Sequence, residues 1–365
     1  MHKKMLFIFL AAAILMIGGC GRVGQATPTM TSAATVVGKL ELEEFASAAA
    51  VGEVANERYL FLATYQGTDR PTEARIRVFN LKDPASPAEV GSLKVPVELV
   101  VPISALVPVG NLLYAVLGGE DGGLWVIDIS LPVTPRQLSL LSTESLASGL
   151  AVKGNLAYVT YFPTGISIID VSDPQHPHVV ESFPMRGGRP RIADSLLYLV
   201  DGRRLHIIDL STPTSPREVG SYAVATKSGT MGTGLPGDPM DRFFDVAASH
   251  GYAFLASGVS GLRILDTSDP TSPRQVAQLK TPGAANSVVI QGKYLYLGAH
   301  SAAKGEQHWS AMRVVDVSDP RNPRLVDSLK TDGYKGFIML ADNYAYFIDL
   351  QTLWVIDISD FTDNK

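Results

Sequence analysis

The chain has 365 residues, 46% of them hydrophobic, with a formal net charge of −5. That length supports a large core, and the absence of a basic domain or basic stripe excludes nucleic acid as a partner. Cys20 is the one cysteine, so neither an intrachain disulfide nor a cysteine-based metal cluster can form.

In chain order, the first element is an export signal. MHKKMLFIFLAAAILMIGGC opens with Lys3 and Lys4 and continues as an apolar run over 5–17. The run is short for a membrane span, which needs about 20 apolar residues, and it fits a secretory signal. Its end, Ile17-Gly18-Gly19-Cys20, resembles the bacterial lipobox, with an aliphatic residue three before the cysteine and a small residue just before it. That resemblance implies a signal peptide over 1–19, cleavage before Cys20 and acylation of its thiol. The expected partner is then a membrane, reached through lipid on Cys20, and the expected location is the cell envelope or cell surface. Gly21 in place of Asp gives no sign of inner-membrane retention. Without Lys3 and Lys4, 29 basic residues face 36 acidic ones, a balance of −7. Residues 20–36 are small and rich in Thr and Ser and read as a flexible tether.

From residue 37 onward the chain repeats itself. Seven copies of an apolar strand end at Asn80, Asp128, Asp170, Asp209, Asp266, Asp316 and Asp357, spaced by 48, 42, 39, 57, 50 and 41 residues. A small turn and an aromatic-aliphatic run precede each copy, as in KGNLAYVTY (153–161) and QGKYLYLG (291–298). Six copies lead into a Pro-rich turn and a further apolar run such as REVGSY (217–222). With a weaker run in front, such as SGLAV (148–152), each unit holds four short strands in about 40 residues and no helix-length segment. The third strands are apolar on both faces, which fits sheets sandwiched between neighbours. The expected fold is all-β: a seven-bladed β-propeller of four-stranded blades over 37–365. The last copy, LWVIDISD, is followed only by FTDNK, whereas VVGKLELEEF (36–45) has the look of an unpartnered outer strand. The N-terminal strand is therefore expected to close the ring and remove an exposed edge.

The phrase carried by GISIIDVSDPQHP (165–177) and AMRVVDVSDPRNP (311–323) resembles the LVIVD repeat of bacterial and archaeal surface proteins. The resemblance spans nearly all of 37–360 and implies a surface-exposed propeller, a family with few assigned activities. Asn80, Leu131 in SLPVTP, Thr212 in STPTSP and the truncated last unit depart from the pattern.

The repeated aspartates read as turn builders. In Asp266-Thr267-Ser268-Asp269-Pro270-Thr271-Ser272-Pro273, Asp and Ser side chains can cap backbone N–H groups, and Pro270 disfavours helix at Asp269. Calcium takes six to eight oxygens, and each turn offers two carboxylates at most.

Function is expected where the repeat is interrupted. Three interruptions fall on one predicted face: 64–75, 225–245 and 299–311. Candidate ligand-binding residues there are Tyr65, Arg70, Glu73, Arg189, Asp241, Asp245, Asn286, His300, His308, Trp309 and Lys335. Asp245, Asn286 and Lys335 start innermost strands at the channel mouth. His300 and His308 lack a recognised zinc spacing. No nucleophile elbow, HExxH, phosphate loop or dinucleotide fingerprint is present, and no cofactor is expected. The sequence points to a binding or scaffold module for a protein or a glycan. The alternative is a propeller-type hydrolase or lactonase, with Asp241, Asp245 and Asn286 around a metal.

Overall fold

The computed structural model describes residues 29–30, 34–67, 72–96, 102–119, 122–143, 146–162, 165–185, 188–224, 242–301, 308–333 and 336–362. Seven antiparallel sheets make the fold, and their order follows the chain. Blade 1 is typical: Phe45–Val54 innermost, then Glu57–Gln66, Glu73–Asn80 and Ala88–Lys94 outward. Blades 2 to 6 occupy 103–142, 146–183, 190–223, 245–279 and 284–331. Blade 7 takes three strands from 336–357 and its outer strand, Thr35–Glu41, from the N-terminal region. The innermost strands contact one another in sequence, and the last returns to the first, so the sheets stand as a ring around a central channel.

The ring exists because the middle strands are apolar on both faces. Gly123–Asp128, Ile166–Asp170, Leu262–Asp266 and Thr352–Asp357 are buried along almost their whole length. Each face then needs a neighbour, and seven hydrophobic clusters fill the seven spaces between blades. Trp125, for example, is fully buried between blades 1 and 2, and Phe347 between blades 6 and 7.

All seven outer strands bulge at the same place. The extra residue is aliphatic each time: Val37, Val90, Leu138, Val180, Val219, Val276 and Val326. In several blades the residue after the bulge lies against the Pro turn of the next blade. A Cβ on Gly220 would stand 2.0 Å from the Pro270 carbonyl oxygen, and one on Gly38 2.0 Å from that of Ala85. Blade 2 carries Ser139 there, and its hydroxyl donates to the Pro174 carbonyl at 2.7 Å. A second contact comes from the second strands: the Tyr158 hydroxyl donates to Pro213 O (3.2 Å) and the Tyr346 hydroxyl to Pro84 O (3.5 Å).

Blade 7 has no such turn, and the contact from blade 6 is met differently. Asp327, just after the blade 6 bulge and 4% exposed, accepts from the Ala34 amide at 2.9 Å. The Tyr296 hydroxyl donates to Phe361 O at 3.3 Å, in a short 3-10 turn (Ser359–Phe361). Two chain segments thus stand in for one turn.

Closure agrees with the sequence reading, and its boundaries shift. The outer strand is Thr35–Glu41 and pairs with Thr352–Asp357; Phe45 already belongs to the innermost strand of blade 1. Within the expected tether, Thr29–Met30 adds a fifth strand to the edge of blade 6, opposite Lys330 and Leu329. Residues 1–28, including Cys20, lie outside the described residues.

Candidate functional site

The repeated acids are consumed by turns in every blade. The side-chain Oδ1 of Asp128, Asp170, Asp209, Asp266, Asp316 and Asp357 accepts from the amide two residues on, at 2.8–3.1 Å. Asn80, the departure in blade 1, makes the same bond to Lys82 N at 2.6 Å. The second acid of the phrase repeats the device one turn later, as Asp269 does for Thr271 N at 3.0 Å. The Ser268 hydroxyl and amide, with the Arg274 guanidinium, pull the Asp266 carboxyl down to about 2. Asp128, Asp170, Asp209 and Asp316 are lowered as well, each with bonds from the following serine among the causes. These carboxylates are already ionised and bonded within their own turns.

The opposite end of each blade differs from copy to copy. There the innermost strand begins, the second strand ends and the third begins. In blade 1, Glu44 is 6% exposed, accepts from the Thr64 hydroxyl and from Gln66 Nε2 at 3.1 Å, and forms an ion pair with Arg75, whose Nε stands 3.1 Å away. Glu73 joins this network through Arg75 (2.9 Å) and Lys94 (3.4 Å). Tyr65, the adjacent candidate, stacks on Phe45 with centroids 5.6 Å apart, and burial raises its hydroxyl. Tyr65 and Glu73 therefore order the top of blade 1.

In blade 6, His300 is 7% exposed and its Nδ1 pairs with Ser301 O at 2.9 Å, so it belongs to the strand end. Trp309 roofs the same blade: its carbonyl accepts from Ser301 N, and its ring lies under Lys330 (5.0 Å) and Arg313 (5.8 Å). Gly283 allows this, with φ +79° and an open position where a Cβ would stand 2.3 Å from the indole. His308 is exposed beside it.

At the channel mouth, blades 4, 5 and 6 meet around Asp245. Asp245 starts the innermost strand Asp245–Ser249, is 1% exposed, and faces both neighbours. Its Oδ2 accepts from Val288 N of blade 6 at 3.2 Å; its Oδ1 stands 3.3 Å from Arg191 Nη2 of blade 4. Asn286 is the bulged residue of the strand Ala284–Gln291, and its Nδ2 donates to Gly336 O of blade 7 at 2.8 Å. Its Oδ1 is buried and has no hydrogen-bond partner among the described residues. Arg189 is exposed two residues before Arg191.

The structure thus sets Asp245 against the strand that carries Asn286, keeps both apart from the blade 1 cluster, places Asn286 in the same blade as His300 and Trp309, and adds Arg191, which the sequence reading missed. Arg70, Asp241 and Lys335 lie outside the described residues. Among the described residues no three His, Cys, Asp or Glu side chains converge as metal ligands do. At the far end of the channel, Arg58, Gln291, Leu340, Ala341, Asp342 and Asn343 line an open polar recess of about 530 Å³. It is spanned by an exposed Arg58–Asp342 pair (2.9 Å), the kind of contact that contributes little.

Comparison with known proteins agrees with this architecture. The chain is similar to the computationally designed Ika8 protein, with a TM-score of 0.54 at 13% identity, covering 87% of this chain and 98% of that one. A likeness at that identity speaks for the fold alone. No curated protein matches the chain. The LVIVD repeat model matches six times, over 110–139, 146–184, 194–224, 244–281, 282–331 and 332–363. Blade 1 falls outside these matches: its copy ends in Asn80, and its inner hairpin runs on to a turn at Ala55 and Asn56, both with positive φ. With more than half its length matched, the chain belongs to the LVIVD-repeat family.

Proposed function

We propose that this propeller is a binding module, carried at the cell envelope by lipid on Cys20, with its ligand-facing surface at the variable end of the blades. One observation carries this reading. In all seven copies the repeated Asp or Asn oxygen is spent on its own turn, whereas the polar groups at the opposite end differ from blade to blade. A rigid ring with varied loop ends is the usual arrangement for recognition grafted on a scaffold. The lipobox-like Ile17-Gly18-Gly19-Cys20 supplies the anchor in this reading.

The test is fractionation of cells expressing the full chain and Cys20→Ser. The wild type should sediment with membranes and label with a fatty-acid probe, and the variant should do neither. A variant that stays in the membrane fraction would refute the lipid anchor. The soluble variant, offered to arrays of envelope glycans and envelope proteins, should be retained by at least one; retention by none would refute the binding module.

A further inference from the structure

The register of the fifth strand on blade 6 fixes the side from which the tether arrives. Thr29 lies opposite Lys330 and Met30 opposite Leu329, antiparallel to the outer strand Arg324–Thr331. Lys330 is one residue from the variable end of that strand, so the chain before Thr29 reaches the ring from the variable end. Nine steps separate Cys20 from Thr29, and they reach at most about 30 Å. The outer strand of blade 6 alone spans about 26 Å. A lipid on Cys20 therefore leaves little slack for the chain to double back along blade 6 and bring the turn end to the membrane.

The variable end is also basic on the blades around that point. Arg189 precedes the innermost strand of blade 4 and Arg204 starts its third strand. Arg242 precedes the innermost strand of blade 5, Lys280 follows its outer strand, and Lys330 stands near the end of the outer strand of blade 6. All five are exposed, and none has an ion pair among the described residues. The acids there are fewer: Asp245 is buried against Arg191, Asp201 is half-buried 3.7 Å from His206, and Asp332 is exposed. By sequence, the connections outside the described residues add Arg186, Lys227, Lys304 and Lys335 against Asp238, Asp241 and Glu306, which leaves the sign unchanged. Trp309, partly exposed, holds its ring 5.0 Å from the Lys330 ammonium, and tryptophan and lysine are the side chains that settle at the headgroup level of a bilayer. The turn end holds the repeated acids from Asp128 to Asp357. In a chain that is acidic overall, an anionic surface attracts this sector and repels the turn end.

We propose that the variable end of blades 4, 5 and 6 docks on the anionic lipid surface that holds the Cys20 anchor. The ring then stands with its variable end toward the bilayer and its turn end away from it. Docking through three adjacent blades leaves the variable ends of blades 1 to 3 open to a ligand approaching along the membrane. The assignment rests on the lipid-anchor reading and adds an orientation to it.

Co-sedimentation with vesicles tests the surface on the soluble Cys20→Ser protein. It should bind vesicles of phosphatidylglycerol and phosphatidylcholine in equal parts, weaken as salt rises, and ignore phosphatidylcholine alone. Each cation lost should cost about fivefold or less, so Arg189→Gln, Arg242→Gln, Lys280→Gln and Lys330→Gln combined should weaken binding about tenfold or more. All four residues are exposed, and circular dichroism checks that the variant is folded. Arg217→Gln with Arg321→Gln, at the turn end, should change nothing. Orientation is read on the lipidated protein: a fluorophore on His308→Cys should be quenched by brominated lipid, and one on Arg321→Cys should not. No preference for the anionic vesicles, unchanged binding by the fourfold variant, or stronger quenching at Arg321→Cys would overturn the proposal. Fatty-acid labelling without that lipid preference would remove the docking surface and leave the anchor. Lipid preference without labelling would remove the anchor, and the orientation with it, and leave the basic surface.

Discussion

Replacing Asp349 by Asn probes the seam where blade 6, blade 7 and the N-terminal strand meet. Asp349 ends the second strand of blade 7 and is 4% exposed. It accepts from the Thr331 hydroxyl, at the end of the outer strand of blade 6, and from Trp354 Nε1 at 2.9 Å, in the third strand of blade 7. The Trp354 ring lies under the Lys39 ammonium of the N-terminal strand at 4.8 Å. Burial pushes the Asp349 carboxyl up to about 6, against the pull of the Thr331 and Trp354 bonds; Glu41 adds to the rise and Lys39 opposes it. The ordinary value, 3.8, describes the unfolded chain. Between those two values the fold holds this proton more tightly than the unfolded chain does, so stability falls as pH rises through that window. The total is about 3 kcal/mol at about 1.4 kcal/mol for each pH unit between them. Asn keeps an oxygen for both donors and does not titrate. The stability difference between Asp349→Asn and wild type should therefore move in favour of the variant by up to about 3 kcal/mol between about pH 4 and pH 7. Urea titrations of both proteins at several pH values measure it. A difference that stays constant, or that moves toward the wild type, would refute the argument.

His206 and Gly220 give two further checks. His206 is buried in the third strand of blade 4, with Nδ1 2.9 Å from Glu218 and Nε2 3.7 Å from Asp201. Burial lowers its basicity, but the two carboxylates outweigh that and leave it raised above 6.5. Its contribution is therefore fully present below pH 6.5 and lost as pH rises through the folded value, so the melting-point deficit of His206→Gln should shrink on going from acid to alkaline buffer. A deficit that grows with pH would contradict the sign. Gly220→Ala forces a Cβ to within 2.0 Å of the Pro270 carbonyl oxygen and should cost about 1–3 kcal/mol in urea unfolding. A neutral result would mean that neighbouring blades slide more easily than their packing implies.

The fold was legible because its signal is local and repeated. Each copy needs an apolar strand buried on both faces, followed by an oxygen two residues before an amide, and both can be read from a few adjoining residues. Asn80 was legible as a departure, and the structure shows it doing the work of Asp with a different acceptor. Strand boundaries at the seam were less legible: 36–45 reads as one apolar-polar run, yet it serves two blades, because the chain leaves blade 7 at Glu41 and enters blade 1 at Phe45. The channel mouth was half legible. Asp245 and Asn286 stand at recognisable strand starts, but their partners Arg191, Val288 and Gly336 are 43–54 residues away and belong to other blades. Ring geometry creates those pairings, and no short window of sequence contains them. Trp309 looked like a free loop group because the residue that makes room for its ring, Gly283, lies on a strand connection before the insert.

The two-part substitute for a turn at blade 7 has a consequence for how the molecule is made. Thr35 pairs with Asp357, so a strand synthesised ahead of every blade finds its partner only when the last repeat has emerged. Six blades can assemble in order while that strand waits with an unsatisfied edge. The slowest contact to form is thus the one that completes the circle, as expected for pairing at such long sequence separation. A chain truncated within its last repeat would therefore remain an open arc, exposed at both ends.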